Sequence, residues 1–344
     1  MGLLLGTSIR TDAQQRVCPI FFWNVENFFD CSNDSLTLDD EYTPEGDLHW
    51  TPRRYAAKRN ILAKTILSIG DYCHGEMPAI MGLCEIENDQ VLRDLTLGTP
   101  LRHSGYEFIH YDSPDRRGVD CALLYRRERF APLSSEAIYV GDSANGFFTR
   151  DILRVTGILD GRDTIHLFVC HLPSKRGGDA AEHRRENISI LLGDSIRALQ
   201  IRHPKSYIVA MGDMNCEAHE IIFSSNPSEM GFTNLASYRG NRCDDSLSKA
   251  HLQVVPERTD VAGSYFYQGA WSTIDQMMIS PNLVAKRLSF GHRLKLEGGF
   301  FVFAPDWLLE PVPHLLSSKP LRTYQGPRYR GGASDHLPVG IILK

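Results

Sequence analysis

Residue types suited to chemistry fall at the ends of apolar runs. Asn24 closes "CPIFFWN", Glu85 closes "PAIMGLCE", His171 closes "IHLFVCH", and Asp213 closes "SYIVAMGD" with Asn215 just beyond. Asp275 opens near the start of "IDQMMIS", and the adjacent Asp335 and His336 precede "LPVGIIL". Carboxylate oxygens without thiolate or clustered imidazole suit a hard cation, Mg2+ or Mn2+, rather than zinc. Such an ion keeps several waters and binds through one or two carboxylates together with substrate phosphate. Histidines beside it polarise or protonate phosphate oxygens, and an aspartate aligns an attacking water. The set points to metal-assisted phosphoester hydrolysis. Singly, each residue has an ordinary reading: Asn24 ends a strand, "GDMN" is a turn, His171 is a hydrogen-bonded core histidine. Jointly, coincidence is a poor explanation.

The elements that must position these residues are short apolar runs whose length and β-branched or aromatic content read as buried strands. If the last two run opposite to the first four, all six polar positions reach one edge of the sheets. Strand ends are rigid supports, which a precise site needs. Thr51 followed by Pro52 predicts a helix start, continuing to about Ile69. Asp179 and Glu182 have capping-box spacing, and Ile188, Leu191, Leu192, Ile196 and Leu199 then mark one helical face. No repeat or linker-like break is visible, so the expectation is one α/β domain over 16–344, preceded by a leader over 1–15.

Composition excludes several classes. A net charge of −5 over 344 residues argues against a whole-molecule polyanion binder but leaves room for a local basic groove. The eight cysteines form no CxxC pair, and several lie in apolar runs, so buried reduced thiols are expected. Cys216 and His219 in "CEAH" lack the second pair that zinc requires. No apolar run is long enough to span a membrane. "MGLLLGTSIRTDAQQ" resembles the tail of a secretory signal, which points to export, although it lacks a positive leading region; a structureless leader on a cytoplasmic protein is the alternative.

In this order the residues resemble the endonuclease/exonuclease/phosphatase superfamily, with its DNase I-like fold. The matching stretches are "FFWNVENFF", "MGLCEIEN", "RRGVDCALLY", "CHLPSKRGG", "MGDMN", "STIDQMMIS" and "SDHLPV", spanning residues 20–340. The resemblance implies a four-layer α/β sandwich, two mixed sheets packed face to face with helices outside. It implies Glu85 as the principal metal ligand, with Asn24 beside it and Asp335 completing the site. Asp213 would orient the attacking water, Asn215 would hold that water or the scissile phosphate, and His336 would be held by Asp275. Either Asp213 or His336 would take the proton. His171 would stabilise or protonate the departing oxygen, with Asp120 orienting it. Glu87 is an alternative ligand, because strand alternation would place it on the face of Glu85.

Substrate signals diverge. Ser174, Lys175 and Arg176 follow His171 and offer phosphate contacts, as do Arg150, Arg184 and Arg185. "RTYQGPRYRGG" interleaves Arg322, Arg328 and Arg330 with Tyr324 and Tyr329, a pattern compatible with phosphate pairing and base stacking. Against a duplex stands the segment Asp30–Asp47, with seven carboxylates and no basic residue, read as a solvated loop. The leading expectation is a monomeric Mg2+-dependent phosphodiesterase or nuclease. The alternatives are a phosphatase or phospholipid diesterase acting on inositol-phosphate or sphingomyelin-type headgroups, and a non-catalytic binding module.

Overall fold

Strands that are apolar at every position need cover on both faces, and here two sheets and flanking helices supply it. The computed structural model describes residues 17–221, 232–236, 252–284 and 293–344. The leader expected over 1–15, and Cys243, lie outside the described residues.

Along the chain, β1 (Cys18–Phe28), β2 (Ile80–Ile86), β3 (Tyr106–His110) and β4 (Asp120–Arg126) belong to one sheet. A second sheet takes β5 (Phe130–Ile138), β6 (Ile152–Leu159), β7 (Asp163–His171), β8 (Tyr207–Asp213) and β9 (Thr233–Asn234). After β10 (Leu252–Val255) come a hairpin of β11 (Tyr265–Tyr267) and β12 (Ala270–Ser272), then β13 (Asp275–Ile279) and β14 (Leu296–Phe303). Two short hairpins follow, β15 (Leu309–Val312) with β16 (Ser317–Pro320) and β17 (Tyr324–Gln325) with β18 (Arg328–Tyr329), before β19 (Val339–Leu343). The sheet orders are β10-β14-β19-β1-β2-β4-β3 and β5-β6-β7-β8-β13-β9. β1 and β2 are parallel, as are β7 and β8, whereas β19 is antiparallel to β1 and β13 to β8. The late strands therefore do run against the early ones.

Alternation assigns the two faces of the second sheet. Leu167, Val169, Val209 and Met211 join the central core with the first sheet, while Phe168, Cys170, Ile208 and Ala210 pack with α3 (Gly178–Arg202). The sheets meet closely: a Cβ on Gly82 would lie 3.0 Å from Met211 Sδ and 3.2 Å from Val169. α1 (Pro52–Tyr72) starts where predicted, with Thr51 accepting from Arg54 N, and buries Leu62, Ile66 and Ile69. α2 (Asp89–Leu97) is capped by Asn88, whose side chain accepts from Gln90 N and Val91 N. The capping box expected at Asp179 and Glu182 is not formed. α3 begins at Gly178 with Gly177 as N-cap and no side-chain cap, so Asp179 already lies in the first turn and acts on the helix dipole instead. The seven cysteines among the described residues are free, and no helix there is long and apolar enough to cross a membrane.

Candidate active site

Strand register brings the second sheet's polar ends together. His171 of β7 pairs with Asp213 of β8, and Asp213 pairs in turn with Asp275 of β13. The first sheet contributes through a bulge rather than regular alternation. Pairing slips between Asn24 and Phe28 of β1 and between Cys84 and Ile86 around β2, and Glu85 stands at φ 62°. Bulges re-aim side chains beside active sites. Glu26 (φ 48°), Asn27 (φ 50°) and Asn215 (φ 50°) share this left-handed backbone, each at a cost of about 1–3 kcal/mol. All four line one cleft of about 450 Å³, along with Asn24, His171, Asp213, Asp335 and His336.

Within the cleft, Glu85 Oε2 accepts from Asn27 N at 2.8 Å. Asn24 Nδ2 donates to Asp213 Oδ2 at 3.0 Å and lies 3.4 Å from Glu85 Oε1. Its Oδ1 accepts from Glu26 N at 3.0 Å. The amide oxygen expected to face a metal is thus engaged by backbone, and Asn24 spaces two carboxylates instead. Asp335 Oδ2 sits 3.0 Å from Arg322, whose guanidinium also donates to Glu26 Oε1 at 2.8 Å. Burial, then the charge of Asp335, pushes the Glu26 carboxyl up to about 7 against the pull of Lys58 and Arg322.

The two histidines are biased in opposite directions. His336 Nδ1 lies 2.8 Å from Asp275 Oδ2, which also accepts from Ser264 Oγ at 2.6 Å. Burial opposes a charged ring there, but the Asp275 and Asp213 carboxylates outweigh it and hold His336 well above its ordinary value. His171 is held well below its ordinary value by burial and then by the charges of Arg150, Arg117 and His336. Between them, Asp213 Oδ2 is 3.6 Å from His171 Nε2 and 3.8 Å from His336 Nε2. Burial, with Asp275 adding repulsion, pushes Asp213 up to about 7 despite the pull of His336. Pairs of groups pushed apart in this way are the usual arrangement of acid and base roles.

Several expected residues lie elsewhere. Asp120 does not reach His171, whose buried Nδ1 has no hydrogen-bond partner. Its carboxylate accepts from Ser113 N at 2.9 Å and faces His110 Nε2 at 3.4 Å, captured by its own turn. Glu87 leaves the cleft because the bulge interrupts alternation, and it accepts from Asp30 N at 2.6 Å. Arg150, Ser174 and Arg176 line the cleft, with Arg150 buried and clamped between Asp115 at 3.2 Å and Leu172 O at 2.8 Å. Lys175 is tied to Glu220 at 2.8 Å beside an adjoining cavity. Arg330 pairs with Glu310 and is not part of the cleft lining. Arg184 lines the cleft, 4.2 Å from the Phe147 ring, while Arg185 donates to Pro173 O. Tyr324 and Tyr329 offer no stacking surface: Tyr324 donates to Leu48 O and Arg54 covers Tyr329 at 4.6 Å.

Four contributors were missed as site residues: Glu26, Arg117, Ser264 and Tyr265. Glu26 had a signal, since it lies two residues after Asn24 on an extended run; Ser264 had none. The donor set fits a hard cation, because Glu85 and Asp335 present oxygens to one cleft whose lining includes no sulfur ligand. Asp213, Asp275 and His336 also lie close enough to hold an ion, but the bonds of Asp275 to His336 and Ser264 make that group an oriented histidine.

A model of the "Endonuclease/Exonuclease/phosphatase family" matches residues 19–344. No curated protein matches the sequence. Among solved structures, truncated TDP2 of Caenorhabditis elegans superposes with a TM-score of 0.55 at 15% identity, covering 95% of this chain and 97% of that one. A mannosyl-6-phosphatase of Bacteroides thetaiotaomicron gives 0.53 at 15% identity, covering 95% and 99%. An endonuclease/exonuclease/phosphatase from Bacteroides vulgatus gives 0.57 at 15%, covering 96% and 99%. Likeness at this identity establishes the fold, the DNase I-like α/β sandwich.

Proposed function

The chain belongs to the endonuclease/exonuclease/phosphatase family of hydrolases, and on that premise we propose that it is a divalent-metal-dependent phosphodiesterase of nuclease type. The observation that carries this reading is Asp213 set between an imidazole favoured as charged and one favoured as neutral. A Mg2+ or Mn2+ ion held by Glu85 and Asp335 would supply charge at the phosphate oxygens and lower the pKa of water. Asp213, with a carboxyl near neutrality, orients the attacking water and takes its proton. His336 is fixed by Asp275 and presents a protonated Nε2 to the phosphate, so it is the weaker candidate for base. His171 presents Nε2 to the departing oxygen. Asn215 holds its backbone N–H on Asp213 at 2.9 Å and keeps that carboxylate oriented. Arg150, Ser174 and Arg176 bind the non-reacting oxygens.

The acidic segment favours a second reading, a phosphatase or phospholipid diesterase on a small, single-ended substrate. Leu38 N donates to Arg116 O at 2.8 Å, which sets the acidic loop beside Arg117 at the cleft wall. Purified protein assayed with Mg2+, Mn2+ or chelator on plasmid, single-stranded DNA, RNA, inositol phosphates and sphingomyelin separates the two. The leading reading expects chelator-sensitive diester cleavage. Release of inorganic phosphate alone selects the second, and chelator-resistant activity overturns the metal dependence of both.

A further inference from the structure

Beside the cleft lies a second cavity of about 430 Å³, sharing Ser174, Arg176, Asn215 and Tyr265 with it. Its far wall is the β11–β12 hairpin. Strand alternation gives that hairpin two faces. Phe266 and Trp271 pair edge to face at 5.3 Å on one, and Trp271 Nε1 donates to Ser317 Oγ at 3.0 Å, fastening the hairpin to β16. The other face carries Tyr265 and Tyr267, stacked at 6.3 Å with their planes 15° apart. Tyr265 also lies 4.6 Å from the His336 ring. Three rings therefore run outward from the histidine facing the phosphate, ending at Tyr267, which is 55% exposed. Across the cavity, Arg176 has no ion-pair partner among the described residues, whereas Lys175 is neutralised by Glu220.

We propose that the tyrosine face of this hairpin is a ring-stacking subsite holding the nucleobase of a nucleoside phosphate, so that the enzyme selects nucleotide esters among phosphoesters. The proposal rests on the reading that the cleft takes a phosphoester. A base is one sugar away from its phosphate, and the ring run leads outward from His336 in steps of 4.6 Å and 6.3 Å. Any base offers a π-face, so the subsite tolerates sequence, and Arg176, which lines both cavities, joins the subsite to the phosphate end of the cleft. An inositol or sphingosine-type alcohol has no planar ring to place there.

The test compares binding of 5′-AMP and ribose 5-phosphate, which share phosphate and sugar, by calorimetry with Mg2+. It is run on Asp213→Asn protein, to prevent turnover, with Tyr267 intact, Tyr267→Ala or Tyr267→Phe. Stacking predicts that AMP binds about 5- to 150-fold more tightly than ribose 5-phosphate. Tyr267→Ala should bring that ratio down toward one, and Tyr267→Phe should restore it. Equal binding of the two ligands, or a preference that survives Tyr267→Ala, overturns the proposal. Hydrolysis by the wild-type protein is scored separately. Its absence would defeat the hydrolase reading, while the binding ratio still decides the subsite.

Discussion

Asp213→Asn should yield a protein that is inactive and, at alkaline pH, more stable. The Asp213 side chain is 2% exposed, and burial followed by the charge of Asp275 pushes its carboxyl from 3.8 up to about 7. At pH 8 it is ionised in both folded and unfolded chains, and the gap costs the fold about 4 kcal/mol at 1.36 kcal/mol per pKa unit. As pH falls, the folded group protonates first, through about 7, and the cost shrinks until it vanishes below 3.8. Asparagine carries no such cost. That cost already includes the bond from Asn24 Nδ2 at 3.0 Å and the attraction to His336 at 3.8 Å, both of which hold the carboxyl down. The expectation for metal-free protein is therefore about 4 kcal/mol of stabilisation at pH 8. It should fall by about 2–3 kcal/mol between pH 8 and pH 5, as the folded carboxyl takes up its proton. Urea unfolding at both pH values measures it, and phosphodiester hydrolysis with Mg2+ should drop at least about 10³-fold, within the roughly 10²–10⁴-fold value of general base help. A variant less stable than wild type at pH 8, or a pH-independent difference, would refute the assignment of Asp213 as a strained, functional carboxylate.

Asp275→Asn should lower kcat about 10²–10⁴-fold with KM nearly unchanged, because His336 loses the carboxylate that orients and charges it; steady-state kinetics showing a KM effect alone would count against this. Glu85→Gln should raise the Mg2+ concentration for half-maximal activity about 10- to 100-fold, whereas Glu87→Gln, bonded to Asp30 N outside the cleft, should leave it unchanged. A metal titration that ranks the two variants the other way would reinstate Glu87. Away from the cleft, burial and then the charge of His203 lower His166 to about 4. The unfolded chain takes up that proton first, so stability is lost as pH falls through 6.5 and the loss saturates near 4. Between pH 7 and 5 this contributes about 1 kcal/mol after discounting for partial solvent screening. Thermal unfolding of His166→Gln should show a correspondingly flatter acid limb.

What was legible in the sequence was the edge of the sheets. Apolar runs ending in Asn24, His171 and Asp213, and others opening near Asp275 and His336, required only strand periodicity and the condition that late strands oppose early ones. Both hold. Less legible was everything that depends on departures from periodicity. Alternation puts Glu85 and Glu87 on one face, and the positive-φ bulge at Glu85 parts them. Asp120 reads as a partner for His171 only until its own turn captures it through Ser113 N. The direction of the Asn24 amide is set by Glu26 N, a contact no spacing rule reports. Aromatics misled in a similar way. Tyr324 and Tyr329, interleaved with arginines, are absorbed into packing around Leu48 and Arg54, while Tyr265 and Tyr267 face a cavity. Pairing partners decide such outcomes, whether two residues away, as for Asn24, or 276 away, as for Tyr324.

The central claim is that Asp213 and His336 act as one unit on a phosphoester. Its most direct test is the initial rate on bis(4-nitrophenyl) phosphate with Mg2+ for wild type, Asp213→Asn, His336→Ala and the double variant. Residues that act together are strongly non-additive, so each single change should cost at least about 10³-fold and the double change no more than the worse single one. Turnover near wild-type level in either single variant, or losses that multiply in the double, would contradict the account.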